Sequence, residues 1–309
     1  MIEEQITIKK KIVFSGLGLH TGLEIKATLV PSAVNTGIFF VRTDLKKTIP
    51  IKASWKYTIR ANLCTKISNK EGHTVSTVEH LMFALYSLGI TNLLIEINGP
   101  EVPIMDGSAK IFIDELLKNG LIKQNQKIKK LKILNSFQIN NGKKFIKYEP
   151  NNKNFLEIDY TLEYNDQFIK KQKYLLKDAQ KNFLNVFNCR TFCHQEDLEK
   201  IFSMGLAKGG SLDNAIVISG KKILNQGGLR CEDEFVKHKI LDCIGDLYLS
   251  GFFIQGKIIC KQGGHELTLD LLSKIFESEK NYVIVNLDSS INHSKSKNFS
   301  YRSSVETII

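Results

Sequence analysis

No stretch of this chain approaches the roughly 18 to 20 consecutive apolar residues that a membrane-spanning helix needs, so no transmembrane segment is expected. The N-terminal MIEEQITIKKKIVF opens acidic and has no apolar run leading to small residues, which argues against a secretory leader. Six cysteines, at 64, 189, 193, 231, 243 and 260, contain no CxxC pair and no disulfide-framework spacing. Reduced thiols, several buried as small hydrophobes, are the expectation. Cys189, Cys193 and His194 sit close in sequence, but no second ligand pair completes a cluster. A dinucleotide fingerprint is also missing, because Gly16, Gly18 and Gly22 have G-x-G-x-x-x-G spacing with no strand–turn–helix unit around them. These absences leave a cytoplasmic protein as the expected class.

What is present is a chain of 309 residues, 42% hydrophobic and 24% charged, long enough for one large domain or two ordinary ones. The formal charge of +11 admits nucleic acid, a membrane surface or a phosphorylated small molecule as partner. The lysines are spread among Asn, Ile and Glu, with short clusters such as Lys127 to Lys132, and no nucleic-acid motif occurs. A lysine-rich nucleic-acid binder with structural His and Asp residues is the competing class. It would show strong, salt-dependent binding without metal.

Residues 2–14 and 23–30 alternate apolar and polar and read as two strands joined across SGLGLHTG; short strands continue over 37–67. STVEHLMFALYSLG predicts a helix from Thr77 to Leu88, and NLLIEIN a strand over 92–98. A turn-rich segment then enters a helix ending near Gly120. Residues 122–130 lose hydrophobic density and gain lysine, which places a domain boundary there. Strands over 131–148 and 155–164, a helix over 195–204, a mobile connection at Gly205, Gly209 and Gly210, a long helix and a strand over 252–260 repeat the broad plan of the first part. The reading is an α+β fold with an N-terminal domain over 1–125, a C-terminal domain over 126–285, and a loosely held polar tail over 286–309.

The most informative stretch is Asp233 to Gly251. Val236, Ile240, Leu241, Ile244, Leu247 and Tyr248 recur at helical steps and form its core face. His238, Asp242 and Asp246 fall on the other side within about 80° of one another, facing away from that core. Such a stripe is either a solvated face or a metal site, since an imidazole and a carboxylate at i and i+4 can reach one ion. Phe235 and Leu249 interrupt its polarity and favour a lined cavity. In the earlier helix, His80 lies about 200° round from Val78, opposite the core. Glu79 beside it reads either as a capping box with Ser76 or as a base next to a ligand. His20 sits in the glycine-rich turn and is ambiguous. His265 lies in a glycine-bracketed loop. His80, His238 and Asp242 together make the His2Asp set that a catalytic zinc uses.

VSTVEHLMFAL, EVPIMDGSA, CRTF, GLRCEDEFVKHKILDCIGDLYLSG and GGHEL resemble, in order and spacing, the signatures of the UDP-3-O-acyl-N-acetylglucosamine deacetylases, zinc amidases of lipid A biosynthesis. The similarity runs from about residue 2 to residue 275, and departs at Cys193, where that family often has glycine. The resemblance implies two similar domains with helices packed between their sheets, a duplicated α+β sandwich. It implies one Zn2+ held by His80, His238 and Asp242, Glu79 as general base, His265 as the cation that stabilises charge, and Asp246 orienting His265; either Glu79 or His265 can deliver the proton to the leaving amine. It further implies Thr191 at the oxyanion, Lys239 at the substrate, and a passage for the acyl chain along Phe192, Leu206, Ala207, Ser211, Leu212 and Ala215. The implied substrate is UDP-3-O-acyl-N-acetylglucosamine, and a monomer is expected. The chemistry suits those residues: an acetamide is a poor electrophile, and zinc polarises its carbonyl and brings bound water toward neutral pKa, with Glu79 as base. A zinc hydrolase acting on another amide is the alternative within the class.

Overall fold

The computed structural model describes residues 2–165 and 168–286. Strand β1 (Glu4–Ile8) precedes β2 (Ile12–Leu17), β3 (Glu24–Pro31), β4 (Ile38–Arg42) and β5 (Ile51–Lys52). Short strands β6 (Thr58–Ile59), β7 (Lys66–Ser68) and β8 (Thr74–Ser76) lead into helix α1 (Glu79–Leu88), then β9 (Leu93–Ile97) and helix α2 (Lys110–Asn119). Strands β2, β3, β9, β4 and β5 form one sheet in that order. Alternate residues of β3, β4 and β9 are buried, so one face of this sheet turns inward. Helix α2 covers part of it, with Phe112 edge-on to Phe14 at 5.0 Å.

The second half runs through β10 (Leu121–Lys127), β11 (Lys129–Ile133), β12 (Phe137–Asn141), β13 (Lys144–Glu149), β14 (Leu156–Glu163) and β15 (Lys171–Leu176). Next come β16 (Phe192–His194), helix α3 (Leu198–Ser203), β17 (Ile216–Ser219) and β18 (Lys222–Ile223). Helix α4 (Glu234–Tyr248), β19 (Phe253–Lys261), helix α5 (His265–Phe276) and β20 (Tyr282–Asn286) complete it. A seven-stranded sheet is built around β19, which pairs with β11, β13 and β14. Helices α4 and α5 pack on this sheet, and α4 lies along α1. The result is an α+β sandwich with the two site-bearing helices inside it.

That placement removes the solvated-face alternative for the His238, Asp242 and Asp246 stripe. Every residue of α1 is buried, and so are all three stripe residues. A helix between two sheets has no solvated side, so its polar stripe must be satisfied by partners or by a ligand. Tyr248 Oη donates to the Ile90 carbonyl at 2.9 Å, and the Tyr86 ring sits 5.4 Å from that of Tyr248, which locks α1 to α4. Fully buried side chains such as Phe83 and Phe235 each contribute about 1.5–3 kcal/mol of burial. Gly245 sets the approach of the two helices: a Cβ there would lie 2.0 Å from the Glu79 carbonyl oxygen.

Other local expectations changed. The N-terminal strand breaks at Lys9–Lys11; β2 pairs with β3, whereas β1 pairs antiparallel with β10. Residues 122–130, where the composition places a domain boundary, are largely strand, since pairing with β1 supplies backbone hydrogen bonds to β10. The helix expected over 195–204 is a 3-10 turn over Gln195–Asp197 followed by α3. The glycine-rich connection after it is docked, with Lys208 and Gly209 donating backbone N–H groups to the His20 and Leu19 carbonyls at 3.3 and 3.0 Å. Of the tail expected over 286–309, everything beyond residue 286 lies outside the described residues. Among the described residues, no helix is long and apolar enough to cross a membrane.

Candidate active site

His80 comes from the first turn of α1, and His238 and Asp242 from successive turns of α4. The helices pack so that one ligating atom of each lies within 4.8 Å of the others. His80 Nε2 and His238 Nε2 stand 3.3 and 3.4 Å from Asp242 Oδ1. Two ligands about 2.0–2.1 Å from one tetrahedral ion sit about 3.3–3.4 Å apart, so the spacing suits zinc. His238 Nδ1 is 3.0 Å from the Cys189 carbonyl, which fixes the proton on Nδ1 and leaves the Nε2 lone pair facing Asp242. Burial pushes His238 down to about 3, which favours the neutral form, the one able to ligate a metal. Asp242 Oδ1 is buried without a hydrogen-bond donor. Acceptors converging on a donorless buried oxygen are what a cation satisfies, and these residues fit a zinc ion. Lys239 Nζ neutralises the other oxygen, Oδ2, at 2.7 Å.

A second cluster adjoins the first. Burial pushes the Glu79 carboxyl up to about 7, where a group takes a proton and releases it readily. Its Oε2 accepts the Thr65 N–H at 3.1 Å, and its Oε1 lies 3.7 Å from His265 Nε2. The capping box with Ser76 is not formed: the Ser76 hydroxyl donates to the Pro100 carbonyl at 3.1 Å. Burial alone would lower His265, but the charges of Asp246 and Glu79 outweigh it and raise the imidazolium to about 9. The Asp246 bond is direct, His265 Nδ1 to Oδ2 at 2.7 Å, and Asp246 Oδ1 accepts the Thr65 hydroxyl at 2.5 Å.

These groups open into a cavity of about 790 Å³. Glu79, His80, Thr191, His238, Lys239, Asp242 and His265 line it, and so do Phe192, Ala207, Ser211, Leu212 and Ala215. Two expected residues do not. Asp246 sits behind His265, and Leu206 lies outside the wall with its N–H on the Ile201 carbonyl at 3.1 Å. Thr191 is fixed on both sides, by its N–H to the Gly107 carbonyl at 2.9 Å and by the Ile216 N–H to its own carbonyl at 2.8 Å.

Four contributors are not singled out by sequence. Thr65 bonds Glu79 and Asp246 at once, from a loop within the stretch that reads as short strands. Glu101, fully buried, accepts from the His20 and Thr21 backbones and from the Thr77 hydroxyl, tying the glycine-rich turn to the start of α1. Ile201 and Phe202 extend the apolar wall.

Comparison with known proteins follows the same line. The family profile described as UDP-3-O-acyl N-acetylglycosamine deacetylase matches residues 5–277. The chain is 42% identical over 288 residues to a Haemophilus ducreyi protein named UDP-3-O-acyl-N-acetylglucosamine deacetylase, covering 92% of this chain and 94% of that one. Proteins of the same name from Pasteurella multocida and Haemophilus influenzae are 40% and 39% identical over the same shares.

Proposed function

The chain belongs to the UDP-3-O-acyl N-acetylglycosamine deacetylase family and is a deacetylase, and from that premise we propose its substrate and mechanism. The substrate is UDP-3-O-acyl-N-acetylglucosamine, which loses its N-acetyl group to give acetate and the free amine in lipid A biosynthesis. One zinc ion is held by His80, His238 and Asp242. The observation that carries this reading is the buried His2Asp set beside a carboxyl group poised near neutrality.

When bound, zinc supplies the Lewis acidity that polarises the acetamide carbonyl and acidifies water. Glu79 accepts the proton of the attacking water, a task suited to a group held near pH 7. The Thr191 hydroxyl donates to the developing oxyanion, an interaction worth about 2.7–4 kcal/mol in comparable sites. The His265 cation stabilises the same charge and gives its Nε2 proton to the nitrogen, because an amide anion cannot leave. Asp246 holds that ring through Nδ1 and keeps it charged. Lys239 contacts the substrate, and the wall of Phe192, Ala207, Ser211, Leu212 and Ala215, with Leu206 behind it, receives the acyl chain.

Each methylene buried in such a wall is worth about 0.8 kcal/mol. Removing the 3-O-acyl chain from the substrate is therefore expected to lower kcat/KM by orders of magnitude. Equal turnover of UDP-N-acetylglucosamine and its acylated form would contradict the assignment. The pH profile gives a second check. His265 keeps its proton below about 9 and loses it above, so activity declines on the basic side near that value. Asp246→Asn removes the main charge that raises it, and the basic limb is expected to move down toward the ordinary histidine value of about 6.5. A pH–rate profile with an unmoved basic limb would remove Asp246 from this role.

A further inference from the structure

Cys189 and Cys231 are far apart in the chain, yet their sulfur atoms meet at 4.0 Å. Cys189 is buried at the turn before β16, and Cys231 is half-buried in the bend before α4. Neither belongs to a strand or helix, so both can turn without breaking a ladder. A buried ion pair holds the two segments in register. Arg190, next to Cys189, gives its backbone N–H and Nε to Glu234 Oε1 at 3.0 and 2.9 Å, and the backbone N–H of Arg230, next to Cys231, donates to Glu234 Oε2 at 2.6 Å. Both thiols are thus presented to each other by a fixed frame, a high effective concentration for reaction. Lys237 Nζ lies 3.9 Å from Cys231 Sγ and is itself bonded to Asp233 at 2.7 Å. The Cys189 thiol and Lys237 both favour the Cys231 thiolate, the Cys189 contact more strongly, and together they draw its pKa below the ordinary value.

We propose that Cys189 and Cys231 are a reversible disulfide site, closed by a peroxide, and that its closure perturbs the ligand His238. The Cys231 thiolate attacks one oxygen of hydrogen peroxide, forming the sulfenic acid and releasing hydroxide, which is protonated to water. The Cys189 sulfur then attacks the sulfenyl sulfur. The S–O bond breaks, the leaving hydroxide takes the Cys189 proton, and a second water departs. Two thiols lose two electrons and the peroxide gains them. A disulfide needs the sulfurs at about 2.05 Å, so the pair must close by roughly 2 Å. The Cys189 carbonyl is the acceptor that holds His238 Nδ1, so this movement acts directly on the anchor of that ring. The coupling to activity rests on the function proposed above; the disulfide itself does not.

The test is peptide mapping of the full protein under non-reducing conditions after hydrogen peroxide, with deacetylase activity followed in parallel. The expected result is a linked Cys189–Cys231 peptide pair, reversed by dithiothreitol, with activity falling and returning in step. Cys231→Ser should keep basal activity and resist this loss, while Cys189→Ser should stop at a Cys231 sulfenic acid that dimedone traps. Absence of the linked pair in the parent, or linkage through Cys193 instead, would overturn the site. Linkage with unchanged activity would overturn the coupling to His238.

Discussion

Glu79→Gln is expected to lower kcat by roughly 10²–10⁴-fold, the usual worth of a positioned general base, while zinc content and KM stay near those of the parent. The side chain keeps its volume and can still accept from the Thr65 N–H, so the loss isolates the proton-accepting oxygen. Burial is what prepares Glu79 for this task, raising it to about 7 against the opposing pull of His265 and His80. Steady-state kinetics with metal analysis of the same sample checks it. A Glu79→Gln enzyme as fast as the parent would move the base elsewhere in the cavity.

His238→Ala and Asp242→Ala are expected to lose the metal itself. Residues that only orient a ligand typically change metal affinity by about 10–100-fold, and removal of a ligand should exceed the upper end of that range. The two variants differ in what else they disturb. His238→Ala leaves the Cys189 carbonyl without its imidazole donor, whereas Asp242→Ala leaves the half-buried Lys239 ammonium without its partner. Asp242→Ala should therefore also lose some folding stability, since a partly desolvated charge that loses its partner is costly. Metal titration monitored by calorimetry, with thermal unfolding alongside, separates these effects. Zinc affinity equal to the parent in either variant would take that residue out of the ligand set.

The helical spacing of His238, Asp242 and Asp246 was legible because i and i+4 positions on one helix share a face wherever the helix ends up. Its surroundings were not legible in the same way. Period alone gives a stripe turned from the core, but α1 packs along the same helix and the stripe is buried beside a cavity, and no local pattern records a second layer. Thr65 shows the limit most directly. Its bond to Asp246 joins residues 181 positions apart, and the surrounding sequence, which reads only as short strands, carries nothing that points to a partner so distant. The resemblance of TVEHL, HKILDCIGD and GGHEL to a known family brings Glu79, Asp246 and His265 into one proposal, and the folded chain places them within a connected hydrogen-bond and charge cluster. The β1–β10 pairing was hidden for a further reason. Leu121–Lys127 is rich in lysine, glutamine and asparagine, and its strand character comes from its partner.

The most direct test of the central claim is metal stoichiometry measured together with deacetylation of UDP-3-O-acyl-N-acetylglucosamine, in the protein as purified, after chelation and after zinc return. The account predicts that activity disappears with the metal and recovers as zinc approaches one equivalent per chain. Full activity in the chelated, metal-free protein, or none at any zinc level, would contradict it.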